Sequence, residues 1–475
     1  MLFNSYEFLF LFLPLVFTGY FYLNSIKKLT ASKIFLVLAS LFFYSWWNIS
    51  YLPLMLGSIF INYVISSKLS DKKFNQSLKK YLFIFGLILN IGFLAYFKYM
   101  DFFIDNVNFI FRTDIEFLHL ALPLAISFFT LQQVAFLVDS YQGIVKKSNF
   151  LDYILFVTFF PQLIAGPIVH HKSIIPQFES KRNKFMDYKN IYIGLFIFSL
   201  GLFKKVFIAD TFAIWANNGF DVLPHLTLIQ SWMTSLSYSL ELYFDFSGYT
   251  DMAIGIALLF NIKIPVNFNS PFKSKNIIEF WTKWHMTLSN FINAYVYTPI
   301  LKSFKKFTFK NALITSFITM LIIGLWHGAS WMFVLYGALH GVAIVINHLW
   351  KRYGFKFHKI IAIFLTFNFV NITFIFFRAH DMSDAFKVLG GMFNFLNIGN
   401  INDIFLLYPH SEKLDQYIFV IMFFISFVAV FTFRNSMELS KNLKPTIYNI
   451  SLIVLFFVVS ILHLNRVSEF IYFNF

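Results

Sequence analysis

Two histidines and the tryptophans around them are the residues of this chain that could do chemistry. His327 lies in Gly324-Leu-Trp-His-Gly-Ala-Ser-Trp331, between the apolar segments 311–323 and 332–346. An ionisable side chain at membrane depth costs roughly 2.5 kcal/mol or more in its charged form and is rarely kept without a use. A bond to a neighbouring carbonyl would be one such use. A second histidine makes reaction chemistry the stronger reading. His285 lies upstream in Phe280-Trp-Thr-Lys-Trp-His-Met-Thr-Leu-Ser289, an amphipathic stretch expected at an interface with Trp281 and His285 on one helical face. A buried imidazole stays neutral and can take a proton from an attacking hydroxyl. The developing oxyanion then needs donors. The indoles of Trp326, Trp331, Trp281 and Trp284, the Ser330 hydroxyl, or a backbone N–H at the Gly328 break could supply them. His340 follows thirteen residues after His327 and is a further candidate for the same cavity. Acyl transfer is the chemistry that these groups fit.

Other polar residues are candidates for a tunnel or substrate path. Glu241, Asp245 and Asp251 lie around Asp245-Phe-Ser-Gly-Tyr-Thr-Asp251, which also brings Ser247 and Tyr249. This acidic trio is read as orienting a histidine or capping a re-entrant helix. Phe160-Pro-Gln-Leu-Ile-Ala-Gly-Pro167 interrupts an apolar run with two prolines and is read as a cavity wall, with Gln162 in it. The lysines from Lys273 to Lys310 form a basic rim, read as ordinary topology that could also attract a phosphate-bearing thioester donor. His170, His171, His380 and His410 are read as solvated. No metal is expected, because no His/Glu pair has zinc-ligand spacing and the chain has no cysteine.

These residues must be positioned by membrane helices. The chain has 475 residues, 58% of them hydrophobic and 13% charged, with 70 Phe. Apolar runs of span length recur from end to end, which gives an all-α polytopic membrane protein and a single domain, 1–475. The first run, 8–23, has no basic region before it or cleavage site after it, and reads as a retained helix. The net charge of +15 comes from Lys clusters between apolar runs. That pattern is the positive-inside rule and not the signature of a nucleic-acid partner. It places both termini outside and about twelve spans between them, including 8–23, 34–47, 54–66, 81–97, 118–138, 191–209, 226–244, 360–377, 417–433 and 447–464. The pieces 151–169 and 252–260 are read as re-entrant, the first because both its flanks are basic, and 379–416 as an outer loop. Lys204 and Lys205 stand as an anomaly inside a span. Gly324/Gly328 and Gly337/Gly341 have the spacing that lets helix backbones approach closely, so the His327 region reads as a tight hairpin.

Seven stretches together resemble one family: Phe3-Asn-Ser-Tyr-Glu-Phe8, Pro123-Leu-Ala-Ile-Ser-Phe-Phe129, Phe160-Pro-Gln-Leu-Ile-Ala-Gly-Pro167, Asp245-Phe-Ser-Gly-Tyr-Thr-Asp-Met-Ala253, Phe280-Trp-Thr-Lys-Trp-His285, Trp326-His-Gly-Ala-Ser-Trp331 and Phe376-Phe-Arg-Ala379. The chain resembles the membrane-bound O-acyltransferases, in the branch that O-acetylates alginate and peptidoglycan and transfers D-alanine to teichoic acid. The resemblance implies a ring of about twelve helices with re-entrant segments around a central tunnel. It implies that His327 is the catalytic histidine and His285 the second active-site histidine. It also implies acetyl-CoA as the acyl donor and a cell-envelope polysaccharide, peptidoglycan or alginate-like, as final acceptor. A separate periplasmic partner of the SGNH-hydrolase type is expected, with the chain in the bacterial inner membrane among its lipids. A transporter with a re-entrant substrate path is the alternative, although no internal repeat supports it. A non-catalytic platform for a periplasmic enzyme is the third reading.

Overall fold

The computed structural model describes residues 1–145, 149–408, 413–464 and 471. Among the described residues every regular element is helical. Among the described residues seven helices are long and apolar enough to cross a membrane: Phe8–Ser25, Ile49–Ser70, Gln76–Phe111, Tyr188–Val222, Phe309–His327, Trp331–Arg352 and Lys359–Arg378. Three shorter apolar helices, Leu29–Ser45, Gln416–Thr432 and Ile447–Leu462, match further expected spans. The chain forms two compact units, 1–198 with 250–266, and 199–249 with 267–475.

The first unit holds α1 (Leu13–Ser25), α2 (Leu29–Ser45), α3 (Leu52–Ser70), α4 (Gln76–Phe111), α5 (Ile126–Tyr141), α6 (Phe150–Thr158), α7 (Phe160–Leu163) and α8 (His171–Glu179). Two buried amides tie α3 to α4: Asn62 donates to Asn90 Oδ1 at 3.1 Å and Asn90 donates back at 2.7 Å. Each thereby satisfies a polar group that apolar surroundings would penalise. The span read as 81–97 proves longer. Helix α4 starts at the Asn75 cap, whose side chain accepts the Ser77 N–H, and ends only where Arg112 turns left-handed at φ 54°. It runs fourteen residues past the expected end of the span at 97, to Phe111.

The segment 151–169 is broken, as its prolines require. Helix α6 stops at Thr158, and Pro161 stands in the first turn of α7, where its missing N–H leaves no bond unmade. The irregular backbone is buried and is satisfied by protein. The Phe160 N–H donates to Ser40 Oγ at 3.1 Å, and Gln162 Nε2 donates to the Phe156 carbonyl at 2.6 Å.

Three helices follow: α9 (Tyr188–Phe203), α10 (Asp210–Asn217) and α11 (Leu228–Leu259). Helix α11 overturns one expectation. Residues 252–260 are no separate re-entrant piece, because the helix passes without a break through the whole acidic motif. No proline stops it there, and Gly248 and Gly255 sit where neighbouring backbone comes close.

The second unit continues with α12 (Ile277–Trp281), α13 (Met286–Ile292), α14 (Thr298–Ser303), α15 (Phe309–His327), α16 (Trp331–Arg352), α17 (Lys359–Arg378), α18 (Met382–Met392), α19 (Lys413–Thr432), α20 (Ser436–Ser440) and α21 (Ile447–Leu462). The outer loop 379–416 is therefore partly ordered by α18. Helices α15 and α16 form the expected hairpin. Thr308 caps the start of α15, and the chain opens into extended backbone at Gly328. Ser330 then caps α16 by accepting the Met332 N–H at 3.2 Å. The glycines explain the closeness. A Cβ on Gly324 would lie 2.3 Å from the Phe333 carbonyl oxygen, and one on Gly337 would lie 2.5 Å from that of Met320. Neither helix could carry a side chain there at this separation.

Candidate active site

His327 is the last residue of α15, at the break that Gly328 makes. It is 2% exposed, so the ring does not face lipid. Three aromatic rings enclose it: Trp326 at 5.1 Å, Phe377 at 5.1 Å and Tyr336 at 6.0 Å between centroids. The C-terminal end of a helix leaves its last carbonyls outside the regular ladder, and His327 stands at that end.

His285 is fully buried in the same unit. Trp326 stands against both histidines, with its ring 6.2 Å from that of His285. The expectation of one amphipathic helix through Trp281 and His285 fails. Helix α12 ends at Trp281, and His285 takes a left-handed conformation, φ 44°, that begins α13 anew. Asn267 fixes its ring. The Asn267 side-chain oxygen accepts the Thr287 N–H at 3.2 Å and the Thr287 hydroxyl at 2.9 Å, and it lies 3.1 Å from His285 Nδ1. A backbone N–H can only donate, so that atom must be the amide oxygen. His285 Nδ1 therefore carries its proton toward Asn267, and Nε2 keeps the lone pair. Burial pushes the His285 pKa down to about 3, so the imidazole is neutral at physiological pH. Phe246 packs edge-on over it at 4.8 Å.

His340 is different. Its Nδ1 accepts the Trp281 indole N–H at 3.2 Å, and its Nε2 meets Thr373 Oγ1 at 3.0 Å. The Thr373 hydroxyl donates to the Val370 carbonyl, so it accepts from His340. Both ring nitrogens are thus engaged, and the ring ties α12, α16 and α17 together. Trp281 is held by the same bond. Trp284 is buried and stacks on Phe280 at 5.5 Å. Ser330 is used as a helix cap. Trp331 is 63% exposed, unlike the enclosed histidines.

The acidic motif is buried, but its members part company. Asp245, Ser247 and Tyr249 belong to the second unit, and Asp251 and Gln162 to the first. Asp245 Oδ2 accepts the Ile471 backbone N–H at 3.1 Å. Asp245 also pairs with Lys205 at 2.7 Å, and Asp210 pairs with the same ammonium at 2.7 Å. Two carboxylates on one lysine resolve the anomaly of charge inside a span. Lys204 likewise reaches Ser436 Oγ at 3.1 Å. His171, read as solvated, is buried against Asp139, which also accepts His170 Nε2 at 2.7 Å. His170 Nδ1 already accepts the Lys172 N–H, so this is a hydrogen-bonded cluster. His380 is exposed beside Asp221, and His410 lies outside the described residues.

Asn267, Tyr336 and Phe377 were not singled out from the sequence. Phe377 lies inside a recognised motif, yet its role as a wall for His327 depends on which face of α17 turns inward. Asn267 had no local signal.

The membrane-bound O-acyltransferase family model matches residues 8–380. The chain belongs to the membrane-bound O-acyltransferase family. This family member is 49% identical over 424 residues to a peptidoglycan O-acetyltransferase of Helicobacter pylori, covering 82% of this chain and 80% of that protein. It is 35% identical over 406 residues to a probable alginate O-acetylase of Pseudomonas syringae, covering 83% and 76%. A teichoic acid D-alanyltransferase of Streptococcus thermophilus is 30% identical over 286 residues, covering 54% of this chain and 68% of that one. The chain is an acyltransferase and a multi-pass membrane protein.

Proposed function

We propose that this enzyme transfers an acetyl group from acetyl-CoA, taken from the cytoplasmic side of the bacterial inner membrane, toward peptidoglycan, with His327 as general base. The observation that carries the reading is the enclosed imidazole at the α15 break, joined through Trp326 to a second buried histidine, His285. The 49% identity to a peptidoglycan O-acetyltransferase supports peptidoglycan as the acceptor ahead of an alginate-like polymer. The hydroxyl that first takes the acetyl group, ahead of the polymer, gives its proton to His327 while its oxygen attacks the thioester carbonyl. The C–S bond breaks, the C–O bond forms, and the departing thiolate takes the proton back. His285, with its Nε2 lone pair held in place, assists as a second acceptor. A periplasmic partner of the SGNH-hydrolase type completes transfer to the polymer.

The test is His327→Ala in the native host. Ester-linked acetate released from purified peptidoglycan should fall to background, with an unchanged amount of the protein in the membrane. Unchanged acetate defeats the assignment. Loss of acetate from exopolysaccharide, with peptidoglycan acetate intact, reassigns the acceptor.

A further inference from the structure

A cavity of about 750 Å³ opens on the second unit, away from both site histidines. Its walls are the outward faces of α16 and α17. Leu339, Val342 and Ile346 line it from α16, and Leu365 and Phe369 from α17. Val342, Ile346 and Leu365 are 47%, 55% and 46% exposed, which is the exposure of a lipid-facing surface. The other end is basic. Lys275, Lys351 and Lys356 line it, Trp350 stands beside them, and no acidic residue lines the cavity.

The geometry gives the groove a length. Along α16 from Lys351 back to Leu339 the rise is about 18 Å, at about 1.5 Å per residue. That is close to one leaflet of a hydrocarbon core about 30 Å thick. Helix α17 runs the opposite way, so its Ala362 lies toward the lysines and its Phe369 at the deep end. An apolar slot one leaflet deep, closed at the headgroup level by three ammonium groups and an indole, has the shape and charge of one kind of molecule. We infer that this groove is a binding site for an anionic phospholipid, with acyl chains between α16 and α17 and the phosphate on Lys275, Lys351 and Lys356. Zwitterionic lipids offer these lysines no net charge. Basic pockets between membrane helices select anionic headgroups on that ground. An interfacial tryptophan at the rim sits where such rings anchor a helix to the headgroup layer.

The experiment compares palmitoyl-oleoyl phosphatidylglycerol with palmitoyl-oleoyl phosphatidylcholine on the purified full chain in detergent. Melting temperature and retained lipid by native mass spectrometry are read. Phosphatidylglycerol should be retained and should raise the melting temperature more than phosphatidylcholine. Lys275→Gln, Lys351→Gln and Lys356→Gln together should weaken its binding by on the order of a hundredfold, each lysine contributing about fivefold. Leu365→Trp, which fills the slot and keeps the lysines, should also lower retention. Equal behaviour of the two lipids, or a preference that survives the triple variant, overturns the site. Coenzyme A displacing phosphatidylglycerol in competition also overturns it, because the lysines would then serve the soluble donor.

Discussion

At the scale of single residues, the arrangement around His285 is the most sharply determined. Three contacts converge on one oxygen of Asn267, and one of them is a backbone N–H that admits no other assignment. The amide sets the imidazole tautomer, and the tautomer leaves Nε2 able to accept. The proposed role of His285 therefore passes through Asn267, a positioning residue. Asn267→Leu removes the acceptor and should lower acetyl transfer by about tenfold to a hundredfold, within the range that general acid–base groups supply. Asn267→Asp keeps the acceptor and should restore most of the rate. It also adds a charge. A carboxylate beside the ring raises the histidine pKa from its depressed value of about 3. Activity that needs the neutral ring is lost as pH falls through that pKa. The acid limb of the Asn267→Asp rate profile should therefore move to higher pH than in the parent. Equal pH profiles would show that the ring does not titrate in the rate-limiting step.

At the scale of elements, the α15–α16 hairpin is held by absence of side chains. Lipid tails are as apolar as a leucine, so helices in a membrane are joined by close packing and not by hydrophobic transfer. A branched side chain at 337 meets the Met320 carbonyl oxygen and must push the helices apart. Gly337→Val should lower stability by about 1–3 kcal/mol, the range for overpacking. Gly57 and Gly92 are the controls, since nothing lies within 4 Å of a Cβ at either. Gly57→Ala and Gly92→Ala should be neutral or stabilising by up to about 1 kcal/mol, because alanine favours the helix. Thermal unfolding in detergent reads both signs. The buried trio of Lys205, Asp210 and Asp245 is a second joint of this kind, in which the partners together make a charge acceptable that none could carry alone.

At the scale of the whole molecule, lysine placement predicts how the chain lies in the membrane. By the positive-inside rule the clusters before α15 and after α16 are expected on the cytoplasmic face, and the segment after α17 outside. The chain has no cysteine, so one introduced thiol is read without background. Lys306 and Leu396 are both exposed. In intact cells a membrane-impermeant maleimide should label Leu396→Cys, and should label Lys306→Cys only after permeabilisation. The reverse pattern would invert the topology and place the basic end of the lipid groove outside.

The sequence alone determined what depends on local composition and spacing. Apolar runs named the helices, prolines the break at 158–161, and glycines the hairpin. Motif residues named the family. It could not show that 226–244 and 252–260 are one helix, since a polar motif inside α11 looks like a loop until its carboxylate is seen to have a partner. Nor could it show that Asn267 faces His285, that Lys205 binds Asp245, or that His340 has both nitrogens occupied. Those facts join residues far apart in the chain, and only the packing of helices decides which polar atoms meet.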